Sequence, residues 1–125
     1  MLLPTCETTQ QGGVIVAIIN LNKDNIEDVL NNNKNIIIDF WASWCGPCRI
    51  FGPIFEKVSD KYKDVVFAKV NVDEEPELAS QFNVRGIPMI TFIKDKKITY
   101  SQSGLLFEHQ LKEVIDANRQ EGKDN

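Results

Sequence analysis

Ile36-Ile37-Ile38-Asp39-Phe40-Trp41 runs directly into Ala42-Ser43-Trp44-Cys45-Gly46-Pro47-Cys48, and beyond it the spacing of the apolar residues changes. Up to Trp41, apolar side chains occupy both alternating faces, as in a strand buried at the centre of a sheet. From Cys45 to Tyr62 they recur at helical spacing. Ile50, Phe51, Ile54, Phe55, Val58 and Tyr62 face one way, and Arg49, Glu56, Lys57, Asp60 and Lys61 the other. Pro53 falls inside that helix, removes one backbone hydrogen bond and is expected to kink the axis. A central strand that feeds a helix, with two cysteines at the junction, is the frame of the molecule.

The same reading extends in both directions. Val14–Ile19 is a short β-branched run and predicts a strand. Asn22 is placed to cap a helix whose Ile26, Val29 and Leu30 share one face, and Asn31-Asn32-Asn33 ends it. Val65–Val72 reads as a strand, and Glu75–Phe82 as a short helix with Pro76 in its first turn. Ile87–Ile93 is another strand, with Lys97–Gln102 as its antiparallel neighbour across Lys94-Asp95-Lys96. A last helix is expected to bury Phe107, Leu111, Val114 and Ile115. The order β-α-β-α-β-α-β-β-α predicts an α/β layered domain around a mixed sheet. Residues 1–13 read as a polar, mobile extension, 14–118 as one domain, and 119–125 as a polar tail.

Composition narrows the function. The chain has 125 residues, 42% hydrophobic and 26% charged, with 7 Gly and 5 Pro, which excludes collagen-like and disordered classes. Its net charge of -4 lacks the basic excess of a nucleic-acid binder. Residues 1–13 contain no Lys or Arg, and Leu2-Leu3 is too short for the apolar core of a secretory signal. No run approaches the ~18 apolar residues of a membrane span. A soluble chain is expected, touching neither membrane nor nucleic acid. Three cysteines do not make a disulfide-stapled scaffold.

Two of those cysteines carry the chemistry. At i and i+3 on a helical turn, Cys45 and Cys48 lie close enough for a disulfide or a shared metal. Cys45 sits at the helix N-terminus, where unpaired N–H groups and the helix dipole favour a thiolate, the form that attacks disulfides. Cys48, one turn inside, is expected to be more buried and to stay protonated until needed. That asymmetry makes Cys45 the attacking sulfur and Cys48 the resolving one. Gly46 leaves room for a partner's backbone, and Pro47 starts the helix at little hydrogen-bond cost. Two blander readings compete. A structural disulfide across so short a loop constrains the unfolded chain little. A zinc site wants four ligands, and only Cys6 and His109 remain as soft candidates.

Asp39–Cys48 resembles the active-site signature of the thioredoxin family, and Arg85-Gly86-Ile87-Pro88 resembles its cis-proline loop. Lys69-Val70-Asn71-Val72-Asp73, Pro53 and Gly104 match in order and spacing, so the resemblance spans residues 14 to 118. It implies the thioredoxin fold, a mixed five-stranded sheet flanked by about four helices. It implies a general protein-disulfide reductase of the cytoplasm, monomeric and with no bound cofactor. Electrons would come from NADPH through a flavin-dependent thioredoxin reductase, and the other partners would be disulfide-containing client proteins. It also implies Asp39 as general base for Cys48, with Lys69 tuning it, and a cis Ile87–Pro88 bond opposite the cysteines. Trp44, Gly46, Pro47, Gly86, Ile87, Pro88 and Gly104 would form the client-docking surface, with Trp41 supporting the active-site loop.

Asp39 has a second reading, as a buried acid held only by Lys69. Cys6 reads as a bystander thiol. Three departures from the family pattern stand out. Met89 replaces the usual Thr after the proline, a change expected to alter the rim of the substrate groove. Asp95-Lys96 replaces an Asn-Gly turn, so that the hairpin is expected to open differently. Phe107 replaces a Ser-like N-cap and weakens the start of the last helix by about 1 kcal/mol. An exported oxidase or isomerase, or a binding module such as a polymerase processivity subunit or a chaperone, are the alternative functions on the same fold.

Overall fold

The computed structural model describes residues 18–119. Cys6, the 1–13 extension, residues 14–17 of the first predicted strand, and the tail beyond residue 119 lie outside the described residues. Nine elements follow in the order β1 (Ile19–Asn20), α1 (Ile26–Asn32), β2 (Asn35–Trp41), α2 (Gly46–Ser59), β3 (Val66–Asn71), α3 (Pro76–Gln81), β4 (Met89–Lys94), β5 (Lys97–Ser103) and α4 (Glu108–Arg119). The sheet order is β1-β3-β2-β4-β5. β1 and β2 run parallel to β3, whereas β4 runs antiparallel to β2 and to β5.

Strand alternation divides the core in two. Ile37 of β2, Phe67 of β3, and Ile90 and Phe92 of β4 point to the face covered by Phe51, Phe55 and Val58 of α2 and Leu111 and Ile115 of α4. Ile36, Ile38 and Phe40 point to the opposite face, with Leu78 of α3 and the apolar stripe of α1. β2 is paired on both sides and covered on both faces, which is why Ile36, Ile37, Ile38 and Phe40 are fully buried and both of its faces are apolar. By the same parity, Asp39 falls on the α2 side.

The structure corrects several local expectations. α1 starts after Asn25, not Asn22. Asn22 instead closes the preceding turn, its Oδ1 accepting from the N–H groups of Asp24 (2.8 Å) and Asn25 (3.0 Å). The final helix buries Leu111 and Ile115 but only half covers Val114, and Phe107 is 52% exposed. Phe107 precedes the helix, where its carbonyl accepts from the Leu111 N–H, so its side chain points away from the sheet-facing stripe. Gln110 reaches back to the Phe107 N–H at 2.9 Å, which is half of a capping box and offsets part of the missing N-cap oxygen.

α4 continues through Arg119. That side chain lies over the Tyr62 ring (4.8 Å to its centroid) and grips both carboxylate oxygens of Asp64 at 2.8 and 3.0 Å. Met89 is buried on the α1/α3 side of the sheet, not on a groove rim, because the strand parity at that position points inward. The β4–β5 turn keeps the geometry an Asn-Gly pair would give, since Asp95 (φ 51°) and Lys96 (φ 70°) are both left-handed. α2 runs unbroken through Pro53.

Candidate active site

β2 ends at Trp41, and the chain turns at once into α2, with Cys45 as the N-cap residue in extended conformation. The Cys45 Sγ accepts a hydrogen bond from the Cys48 N–H at 3.2 Å. The sulfur therefore takes the place of the usual capping oxygen and meets the positive end of the helix. Pro47 occupies the first turn, where no intrahelical donor is needed. Arg49 Nη2 ties the incoming loop by donating to the Ser43 carbonyl at 3.1 Å. Cys45 and Cys48 are joined as a disulfide with their Cα atoms 5.2 Å apart.

Burial does not separate the two sulfurs: Cys45 is 4% and Cys48 5% exposed. The expectation that Cys48 would be the more buried is corrected, because Cys45 is covered from above. The carbonyl oxygen of Ile87 lies 3.7 Å from its Sγ. The two residues differ in what they face. Cys45 faces the Ile87 backbone, and Cys48 lines an open pocket with Trp41, Gly52, Pro53 and Lys69.

The Ile87–Pro88 bond is cis. Its loop is held from the end of β5, where the Gly104 N–H donates to the Pro88 carbonyl at 2.8 Å and the Ser103 hydroxyl donates to the Gly86 carbonyl at 2.9 Å. Gly104 has a φ of 122°, a backbone conformation that a side chain would strain. Gly46 and Pro47 are exposed beside the cysteines, and a Cβ added at Gly46 would meet nothing within 4 Å. Trp44 is 65% exposed, its indole N–H donating to Asp73 Oδ2 at 2.8 Å.

Beneath this surface, Asp39 is fully buried, and neither carboxylate oxygen has a hydrogen-bond partner among the described residues. Burial raises its pKa to about 7, against the pull of the Lys69 ammonium, which lowers it. Lys69 stands opposite Asp39 in the β2–β3 register, and its Nζ lies 5.2 Å from the centre of the Trp41 ring. Asp39, Trp44, Cys45, Gly46, Pro47 and Cys48 lie along this junction, and Lys69 on the strand beside it. Gly86, Ile87 and Pro88 lie on the cis-proline loop and Gly104 just after β5, whereas His109 lies on α4 and Cys6 outside the described residues. Sequence reasoning gave no role to Asp73 or Ser103, since neither sits at a recognisable spacing from the cysteines. Among the described residues, no group of three or more His, Cys, Asp or Glu side chains could hold a metal. No described helix is long and apolar enough to cross a membrane.

A redox-active cysteine pair capping a helix, faced by a cis-proline loop and underlain by a buried acid, defines a thiol–disulfide oxidoreductase. Comparison with known proteins agrees. Residues 17–117 match the thioredoxin family. The chain is 42% identical over 94 residues to a thioredoxin of Mycoplasmoides gallisepticum, covering 75% of this chain and 94% of that one. It is 40% identical over 103 residues to a thioredoxin of Acidithiobacillus ferridurans, covering 81% and 95%. Its fold superposes on a mutant thioredoxin from Halobacterium salinarum with a TM-score of 0.79 at 30% identity, covering 88% and 99%. The chain belongs to the thioredoxin family, and Cys45–Cys48 is its redox pair.

Proposed function

We propose that this thioredoxin-family chain reduces disulfides in client proteins by a two-step exchange in which Cys45 attacks and Cys48 resolves. The Cys45 thiolate attacks one sulfur of the client disulfide, forming a mixed disulfide and expelling the other client sulfur as a thiolate. Cys48 passes its proton to Asp39 and attacks the Cys45 sulfur, expelling the second client thiolate and closing the Cys45–Cys48 bond. Two electrons pass to the client, whose thiolates take up two protons. A flavin-dependent thioredoxin reductase drawing on NADPH restores the dithiol, so the chain itself needs no bound cofactor. The setting is the cytoplasm, and the working unit is a monomer.

The observation that carries this reading is the place of the Cys45 sulfur. It receives the Cys48 N–H at the positive end of α2 and borders the Ile87 backbone, where an extended client segment can lie. Trp44, Gly46, Pro47, Gly86, Ile87, Pro88 and Gly104 supply the surrounding surface. Asp39 suits the role of base because a pKa of about 7 lets it accept a proton at neutral pH, and Lys69 keeps that value from climbing further. The test is trapping. Cys48→Ser is expected to accumulate mixed disulfides with client proteins, and Cys45→Ser to accumulate none. The opposite pattern would reverse the two roles.

A further inference from the structure

We infer that Ser103 is a positioning residue for polypeptide clients, acting through the cis-proline loop. The inference rests on the reading that Cys45 attacks clients docked against Ile87. The loop Gly86-Ile87-Pro88 presents three carbonyls. That of Pro88 is held by the Gly104 N–H at 2.8 Å, and that of Gly86 by the Ser103 hydroxyl at 2.9 Å. The carbonyl between them, on Ile87, stands 3.7 Å from the attacking sulfur. Two successive residues at the end of β5 therefore fix the peptide units on either side of the one that borders Cys45.

The two anchors are not equivalent. Gly104 acts through its backbone, so almost any residue with the same conformation would keep that bond. Ser103 acts through its side chain, which makes the Gly86 anchor a property of this sequence. Gly86 is close enough that a Cβ added there would lie 3.4 Å from Ser103 Oγ, ordinary contact distance, so the loop sits directly on the hydroxyl. Ser103 is itself exposed and contributes nothing to either core cluster. Its hydroxyl satisfies a loop carbonyl and sets where the Ile87 backbone waits. A client that binds by pairing along that backbone feels any displacement, because its own hydrogen bonds to the loop lengthen or bend with it and its binding weakens. A small disulfide that diffuses to Cys45 without lying on the loop does not feel it.

The experiment compares the parent chain with Ser103→Ala and Ser103→Thr on two substrates. Dithiothreitol is present only in the turnover assay of the protein disulfide, and pre-reduced chain freed of dithiothreitol is mixed once with the small disulfide. Insulin serves as the protein disulfide and dithiobis-nitrobenzoate as the small one. Ser103→Ala is expected to raise KM for insulin about fivefold, the scale of one lost hydrogen bond, with kcat little changed. Its rate with dithiobis-nitrobenzoate should match the parent, and Ser103→Thr, which keeps the hydroxyl, should restore the insulin KM. Unchanged insulin kinetics in Ser103→Ala, equal loss on both substrates, or a Ser103→Thr as impaired as Ala would each overturn the assignment. A parent chain inert toward insulin would instead defeat the reading on which it rests.

Discussion

Lys69 stands directly across from Asp39 in the parallel β2–β3 register, yet its ammonium lies over the Trp41 ring, 5.2 Å from the centroid. The Asp39 carboxylate has no hydrogen-bond partner among the described residues. The lysine therefore acts on the acid as a nearby charge, not as a bonded partner, and that arrangement keeps the acid titratable near neutrality. A fully paired Asp39 would stay ionised far below pH 7 and would be a poor proton acceptor there.

Stability should register this directly. The folded protein holds the Asp39 proton up to about pH 7, whereas the unfolded chain releases it near 3.8. Between those values the folded state binds more protons, so stability is greatest below the window, falls as pH rises through it and is flat above. The loss by pH 8 is on the order of 4 kcal/mol. Asp39→Asn cannot ionise, so its stability should vary far less between pH 4 and 8. At pH 8 it should exceed the parent by about 2–3 kcal/mol, less than the whole because a buried amide still loses hydration. Urea denaturation of the oxidised proteins at pH 4, 6 and 8 measures this, and parallel pH slopes would refute it.

Activity should move the opposite way. If Asp39 takes the Cys48 proton, the resolving step slows as pH falls through about 7. Asp39→Asn should lose that inflection and run about tenfold slower or worse at neutral pH. Lys69→Met removes the charge that lowers the Asp39 pKa and should shift the inflection upward. Single-turnover reduction of a protein disulfide across pH 5.5–9 reads both. An inflection near 7 that survives in Asp39→Asn belongs to another group.

The β2–α2 junction was legible because the apolar period changes there from every residue to helical spacing, with the cysteines at the change. Asp39 stood out as the one acid in a fully apolar strand. What escaped was settled by partners distant in sequence. Asp73 reaches Trp44 across 29 residues, and Ser103 reaches Gly86 across 17. Asn22 and Asn25 are equally plausible caps by residue type, and only the turn geometry assigns one to the Asx turn and the other to the helix start. Met89 opens β4, and strand parity there sends it inward with Ile36, Ile38 and Phe40, although it directly follows the cis-proline loop.

Phe107 offers a stabilising change that leaves the site alone. It stands at the N-cap of α4 without a side-chain acceptor, is half exposed, and leaves Gln110 to hold its N–H. Phe107→Ser would supply a cap oxygen and should add about 0.5–1 kcal/mol. Gln110→Ala should cost a similar amount by freeing the Phe107 N–H. Thermal midpoints of the two variants should therefore move in opposite directions from the parent. A Phe107→Ser midpoint below the parent would mean that the apolar surface the half-exposed ring covers outweighs the cap.

The β4–β5 turn carries the clearest local strain in the described chain. Asp95 and Lys96 both adopt left-handed conformations, and Lys has no side-chain means of favouring a φ of 70°. An Asp tolerates that region because its short carboxylate can bond locally, whereas Lys bears the steric cost of its Cβ against the backbone. Lys96→Gly removes that cost and yields the Asp-Gly pair favoured in two-residue hairpins. The steric relief of about 1–2 kcal/mol exceeds the extra backbone entropy that glycine loses on folding, so a net gain of about 0.5–1 kcal/mol is expected. The urea midpoint should rise with an unchanged slope, and insulin reduction should stay at the parent rate, since the turn lies at the end of the sheet away from the cysteines. A lower midpoint would show that the Lys96 side chain makes a contact worth more than the strain it imposes.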